Sequence, residues 1–222
     1  MKPILIVDCY LDDPGAAPNF LAHLAGIPTH VARAPREPVP ENWTAFSAAI
    51  VTGSAASVLE ELAWTRALAQ RLRAAVESGV PVLGVCFGHQ LLARALFGAD
   101  RVRRGSPGEL GWVEIERTLE HPLLEGFPTS FTTFQSHFDE VVPVPPGATV
   151  FARSASCEVQ GFAVDEKRAW GVQFHAEITP EEARTLVPRR APGFGLDPER
   201  LLADARDSSA LCARLVRNFL RL

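Results

Sequence analysis

Two short stretches of this chain hold residue types that do nucleophilic chemistry. The first is Val82-Leu83-Gly84-Val85-Cys86-Phe87-Gly88-His89-Gln90. An apolar run suited to a buried strand ends in Gly-x-Cys-x-Gly, and a second apolar run with helical spacing follows (Leu91, Leu92, Ala95, Leu96). This is the layout of a nucleophile elbow with cysteine at the nucleophile position. Small flanking glycines permit a sharp turn and close backbone approach. A cysteine at the start of a helix sits at the positive end of the helix dipole, which favours thiolate. Free N–H groups of the first helical turn can also stabilise an oxyanion.

The second stretch is Ala169-Trp170-Gly171-Val172-Gln173-Phe174-His175-Ala176-Glu177. A buried-type strand here ends in His-x-Glu. A thiolate attacking an amide needs a proton donor for the leaving nitrogen, and histidine oriented by a carboxylate fills that role. Period-two geometry puts His175 and Glu177 on one side if the extended conformation persists. The other five histidines, His23, His30, His89, His121 and His137, lack such a carboxylate-and-strand context. His89 is expected to pack beneath the elbow. Of the other cysteines, Cys9 follows the first strand, Cys157 falls in a loop and Cys212 in the last helix. All three are read as bystanders.

These groups need strands to carry them. Apolar runs at 3–8, 48–52, 80–85, 148–151 and 169–174 predict strands buried on both faces, as in a parallel sheet covered by helices. Residues 60–78 and 208–221 carry apolar positions at helical spacing. Residues 101–145 differ: Trp112–Glu116 and Phe131–Phe134 predict antiparallel strands added to the main sheet. Pro-rich patches at 35–40 and 143–146 read as turns, and Pro188 to Pro198 reads as a loop over one end of the domain. The expected fold is α/β: an open, largely parallel sheet flanked by helices, with an antiparallel portion, in a single domain over 1–222. In such sheets ligands bind at the carboxyl ends of strands, where Cys86 and His175 both emerge.

Composition bounds the function. With 222 residues, 47% apolar, 22% charged and a formal charge of −4, the chain has ordinary globular composition and lacks the basic footprint of a nucleic-acid binder. No apolar run is long enough to span a bilayer or form a signal-peptide core. The expected location is the cytoplasm, with four free thiols rather than disulfides. No Cys/His cluster has zinc-ligand spacing, so no metal or organic cofactor is expected.

The two stretches resemble the signatures of class I (triad) glutamine amidotransferases, and the resemblance covers most of the chain. A third element is the turn Val51-Thr52-Gly53-Ser54-Ala55-Ala56-Ser57-Val58. A fourth, Gln135-Ser136-His137-Phe138-Asp139-Glu140-Val141, is similar to the Ser-His-x-Asp stretch in the glutaminase domain of GMP synthases. Glu109-Leu110-Gly111-Trp112 is similar to stand-alone members. The resemblance implies a flavodoxin-like layered fold and a small-molecule substrate, glutamine or a γ-glutamyl compound. It implies Cys86 as the nucleophile forming a γ-glutamyl thioester, His175 as acid and base, and Glu177 as its orienter. Backbone N–H groups of Phe87 and of the Gly53–Ser54 turn would form the oxyanion hole. Gln90 and the backbone of Ser136, His137 and Phe138 would hold the amino and carboxylate ends of glutamine.

Two positions depart from the family pattern. Ala176 stands where the family has proline, and Gly53-Ser54-Ala55 stands where it shows two glycines and a proline. A left-handed φ at Ser54 would carry strain, so a weakened or redirected activity is expected there. The chain has no P-loop and no dinucleotide fingerprint. Ammonia would therefore either be released or pass to a synthetase on another polypeptide. Three readings follow: glutamine amidotransferase, γ-glutamyl peptide hydrolase acting alone, and a non-catalytic regulatory protein of the same fold. Residues 179–207 exceed what the triad needs and read as a solvated surface loop with short helices.

Overall fold

The computed structural model describes residues 1–142, 144 and 147–222. Part of the Pro-rich patch at 143–146 lies outside the described residues. Among the described residues nine strands form one sheet: β1 (Ile4–Asp8), β2 (Thr29–Arg33), β3 (Ala48–Val51), β4 (Val82–Val85), β5 (Val102–Arg117), β6 (Ser130–Val141), β7 (Thr149–Arg153), β8 (Gly161–Val164) and β9 (Ala169–Val172). Their order is β2-β1-β3-β4-β9-β8-β7-β5-β6. The first five in that order are parallel. The remaining pairings, β9 with β8, β8 with β7, β7 with β5 and β5 with β6, are antiparallel. The helices flanking the sheet are α1 (Ala17–Leu21), α2 (Ala63–Glu77), α3 (Phe87–Phe97), α4 (Pro180–Phe194), α5 (Pro198–Ala203) and α6 (Ser209–Phe219).

The parallel strands β1, β3, β4 and β9 are buried at every position, which is why they read as unbroken apolar runs. Their alternate faces feed two cores. One collects Ile4, Ile6, Ile50, Leu83 and Trp170 against α1 and the Leu215–Phe219 face of α6. The other collects Leu5, Val7, Val51 and Val82 against Leu68, Leu72 and Val76 of α2 and Leu91 and Leu92 of α3. β2 has no counterpart among the strands expected from apolar runs: it is an edge strand with four of five residues incompletely buried, so it carries no such run.

The segment from Pro188 to Pro198 is a correction. It is the second half of α4 followed by the start of α5, not a loop. Two prolines inside a helix each cost about 3 kcal/mol or more. The helix holds because Thr179 and Glu182 form a capping box at its start and left-handed Gly195 caps its end. Its buried face, Ala183, Val187 and Ala191 at i, i+4, i+8, packs on Leu110, Phe134 and Ile178. Residues 179–207 are thus a packed helical lobe rather than a solvated loop.

Candidate active site

Three neighbouring parallel strands deliver the chemistry. β3 runs into the Gly53–Ser54 turn, β4 into Cys86, and β9 leads to His175 and Glu177. Cys86 is the residue before α3 and has φ 51° and ψ −104°. For a residue with a Cβ this conformation costs about 1–3 kcal/mol, a strain that points the side chain out of the turn. Its N–H donates to the Val172 carbonyl at 2.8 Å, which ties the elbow to β9. The flanking glycines are there for space. A Cβ at Gly84 would lie 2.4 Å from the Gly88 oxygen, and one at Gly88 would lie 2.1 Å from the Val51 oxygen.

The extended conformation expected through 177 stops at Val172, and residues 174 and 176–177 are bends. His175 is instead held by one bridge to β6, its N–H donating to the Phe134 carbonyl at 2.9 Å. The bends still bring the pair together. His175 Nδ1 lies 2.7 Å from Glu177 Oε1, both residues are buried, and the ring lies beside Cys86. With Nδ1 taken by Glu177, Nε2 is the nitrogen left for sulfur. Burial works against a charged imidazole here. The negative charges of Glu177 and Cys86 outweigh it and hold the His175 pKa well above its ordinary value. An imidazolium beside sulfur can protonate a leaving amine.

The turn after β3 closes on this pair. A Cβ at Gly53 would lie 2.8 Å from His175 Cε1 and 3.6 Å from Cys86 Cβ, so glycine is needed there for room. Ser54 does not take the left-handed φ whose strain was expected of it: among the described residues the non-glycine positions with positive φ are Glu61, Cys86 and Arg168. Its hydroxyl instead accepts the Ala56 N–H at 3.1 Å and so braces the turn. Phe87 begins α3, so its N–H has no carbonyl within the helix to meet. Its side chain is buried against Trp64.

Two adjoining cavities flank the sulfur and the imidazole. The first is lined by Cys86, Gln90, Ser136, His137, Phe138 and Asp139, among others. The second is lined by Tyr10, Ser54, Ala55, Phe134, Ser136, His175, Leu186 and Arg190. Gln90 Nε2 donates to the Asp139 carbonyl at 2.6 Å and to Gln173 Oε1 at 3.0 Å, fixing the β6 backbone at the wall of the first cavity. Of the expected site residues, Cys86, Gln90, His137 and Phe138 line the first cavity, Ser54 and Ser136 line both and His175 the second, while Gly53 and Glu177 lie beside His175 and Phe87 follows Cys86.

The side chains of two of them turn to other tasks. Phe138 stacks on Phe194 of α4 at 3.8 Å between ring centroids, and the Arg104 guanidinium carbon lies 4.2 Å from the Phe138 centroid. His137 points inward, with Nε2 2.9 Å from Glu109 Oε2 and Nδ1 3.0 Å from the Asp139 carbonyl. His137 and His121 lack a local carboxylate-and-strand context in the sequence, yet the fold gives each a carboxylate from a distant segment. His121 Nε2 lies 3.1 Å from Asp165 Oδ1. Both pairs join residues far apart in sequence, 28 and 44 positions, so no local pattern announces them.

His89 packs under the elbow as expected. Burial pushes its pKa down to about 3, so it is neutral, and its ring lies against Phe162 and the Gly171 backbone. The other cysteines are buried thiols. Burial pushes Cys157 up to about 12 and raises Cys9 and Cys212 as well. Tyr10, Leu186, Arg104 and Arg190 line the site and were not singled out from sequence. Leu186 and Arg190 are four apart on α4, a spacing that points both at the site only once the segment is known to be helical.

Residues 24–191 match the family of glutamine amidotransferases class-I. The chain belongs to that family. A glutamine-hydrolyzing GMP synthase subunit of Pyrococcus abyssi is 41% identical to it over 106 residues, 48% of this chain and 55% of that protein. The corresponding subunit of Saccharolobus solfataricus is 38% identical over 148 residues, 67% of this chain and 76% of that protein. The chain thus spans little more than half the length of the first of these relatives. A solved glutamine amidotransferase from Methylobacillus flagellatus superposes with a TM-score of 0.82 at 28% identity, covering 100% of this chain and 93% of that one. A Thermotoga maritima glutamine amidotransferase shares the fold, with a TM-score of 0.83 at 23% identity, covering 100% of this chain and 97% of that one. No helix among the described residues is long and apolar enough to cross a membrane.

Proposed function

We propose that this family member hydrolyses the γ-amide of glutamine through a γ-glutamyl thioester on Cys86. The observation that carries the reading is the buried Glu177–His175 contact at 2.7 Å, with Cys86 beside the imidazole and lining the first cavity. The sulfur adds to the γ-carbonyl carbon, and the oxyanion meets the N–H groups of Phe87 and of the Gly53–Ser54 turn. His175 protonates the departing nitrogen, which leaves as ammonia. It then takes a proton from the water that hydrolyses the thioester, releasing glutamate. The backbone of Ser136, His137 and Phe138, braced by Gln90, holds the amino and carboxylate ends of the substrate. No cofactor enters these steps. Residues 1–222 act as one domain, a reading supported by the single sheet that all nine described strands join.

Kinship to GMP synthase subunits supports a second component: a separate synthetase that receives the ammonia. The test is glutamate release from glutamine by the purified chain, with Cys86→Ala as the control. Release that disappears in the variant is expected. Equal release by both proteins, or none from the wild type with or without a synthetase, would overturn the reading.

A further inference from the structure

We infer that the hydroxyl of Tyr10 holds the water that hydrolyses the thioester on Cys86, which makes Tyr10 a further catalytic residue of the glutaminase. The inference rests on the reaction proposed above. There His175 takes a proton from the water, so the water must stand against the imidazole. The space that the imidazole lines is the second cavity, and Tyr10 lines that cavity too; neither residue lines the first. Gly53 marks where the side chains meet. A Cβ there would lie 2.8 Å from His175 Cε1, 3.5 Å from Tyr10 Cε2 and 3.6 Å from Cys86 Cβ. The phenol, the imidazole and the elbow cysteine therefore gather around one point.

The hydrogen bonds of the cavity wall single out the phenol. Ser54 Oγ already accepts the Ala56 N–H at 3.1 Å, and Ser136 Oγ accepts from Arg190 Nε at 3.2 Å. The Tyr10 hydroxyl has no hydrogen-bond partner among the described residues, although the residue is part-buried. A water that yields one proton to His175 has a second O–H to satisfy, and a phenol oxygen can accept it. A lone pair of the water is then left for the carbonyl carbon, in the fixed geometry that makes attack effectively intramolecular. Burial, reinforced by the negative charges of Glu177 and Cys86, raises the Tyr10 pKa well above its ordinary value. The hydroxyl thus stays neutral and orients the water, while His175 is the base. The backbone that carries the phenol is fixed from behind. Tyr10 N–H donates to Asp8 Oδ1 at 3.0 Å, and Asp8 Oδ2 accepts the N–H groups of Ala16 and Ala17, each at 3.0 Å. Asp8 is the buried last residue of β1, and Gly15 leaves room for its carboxylate: a Cβ there would lie 2.1 Å from Oδ2.

In this step the bond from the water oxygen to the carbonyl carbon forms and the carbon–sulfur bond breaks. One water proton goes to His175, the sulfur leaves as thiolate, and glutamate departs. Tyr10→Phe keeps the ring and removes only the hydroxyl. The experiment turns over glutamine in the presence of hydroxylamine, a neutral nucleophile that captures the thioester as γ-glutamyl hydroxamate without needing a held water. Hydroxamate, glutamate and ammonia are measured for wild type and Tyr10→Phe. The ratio of hydroxamate to glutamate reports how the thioester is shared between the two nucleophiles, whichever step limits turnover. It should rise about tenfold in the variant, on the scale of one lost hydrogen bond. The kcat/KM for ammonia release, which reports thioester formation, should change little. An unchanged ratio would overturn the inference and leave the glutaminase standing, and an unchanged ratio with a fallen kcat/KM would move the hydroxyl to thioester formation. No ammonia from the wild type would overturn both readings.

Discussion

Two histidines in this chain sit on glutamates inside the protein, and their surroundings send them in different directions. His175 meets Glu177 at 2.7 Å and His137 meets Glu109 at 2.9 Å, and all four residues are buried. The difference lies at the other ring nitrogen. For His175 that nitrogen is left beside Cys86 of the strained elbow, and the ring lines the second cavity. For His137 it is committed to the Asp139 carbonyl, the same oxygen that accepts Gln90. In the proposed reaction the first pair has a proton to move. The second has none to spare, and fixes the backbone that lines the first cavity. A His–carboxylate contact is therefore not in itself a sign of acid–base chemistry, and the third partner decides.

Replacing the two histidines in turn gives the sharpest separation. His175→Gln should abolish γ-amide hydrolysis, on the order of 10⁶ in kcat, as expected when one member of a cooperating catalytic set is lost. His137→Gln should retain most of kcat. Steady-state kinetics with glutamine on the two variants checks this, and equal losses in kcat would erase the distinction.

The glutamate of the first pair comes next. Glu177→Gln should lower kcat by about 10⁴, because the carboxylate that orients the imidazole is gone. It should also move the alkaline limb of the pH profile. In the wild type the His175 pKa is raised above its ordinary value, partly by Glu177. The acid form therefore persists above pH 6.5, and activity that needs it falls as the pH climbs through the raised value. Removing one source of the shift brings that fall to lower pH. The same sign holds for stability: the contribution of the charged pair is complete below pH 6.5 and lost as the pH rises through the native value. A kcat/KM profile of Glu177→Gln with its alkaline limb unmoved would show that the carboxylate does not hold the proton on His175.

The contrast also explains what could be read from the residues in order and what could not. Strands β1, β3, β4 and β9 announce themselves because burial on both faces leaves unbroken apolar runs, and Cys86 and His175 follow closely on two of them. Glu177 is two residues from His175, so that pair is visible locally. Glu109 is 28 positions from His137, and only the antiparallel register of β5 and β6, which sets Glu109 opposite His137, brings them together. α4 stayed hidden for another reason. Its prolines and glycine argue for a loop, and the i, i+4, i+8 face of Ala183, Val187 and Ala191 is made of small residues that give a weak apolar signal. Leu186 and Arg190 were hidden with it. Ser54 shows the opposite failure: a departure from the family pattern suggested strain, and the local backbone takes up none.

The smallest expected change in chemistry comes from the glutamate of the second pair. Burial alone would raise the Glu109 carboxyl. Hydrogen bonds from His137, Ser154 and Ser156 outweigh burial and hold it below the ordinary range. Gln160 Nε2 adds a further donor at 2.6 Å. A buried carboxylate with this many donors is costly to neutralise, since its donors lose their charged acceptor. Glu109→Gln should therefore cost stability, about 3 kcal/mol on the scale of broken buried pairs. Because the native pKa is depressed, the charge contributes its full stability above pH 4.5 and loses it as the pH falls through the native value. The gap in unfolding free energy between wild type and variant should narrow correspondingly in acid. For glutamine, KM should rise several-fold with kcat within a factor of a few, since the backbone at 136–139 would loosen while sulfur and imidazole stay in place. Denaturant melts at several pH values, paired with kinetics, check both halves. A fall in kcat as large as that of Glu177→Gln would make the two pairs a single catalytic unit, which their different third partners argue against.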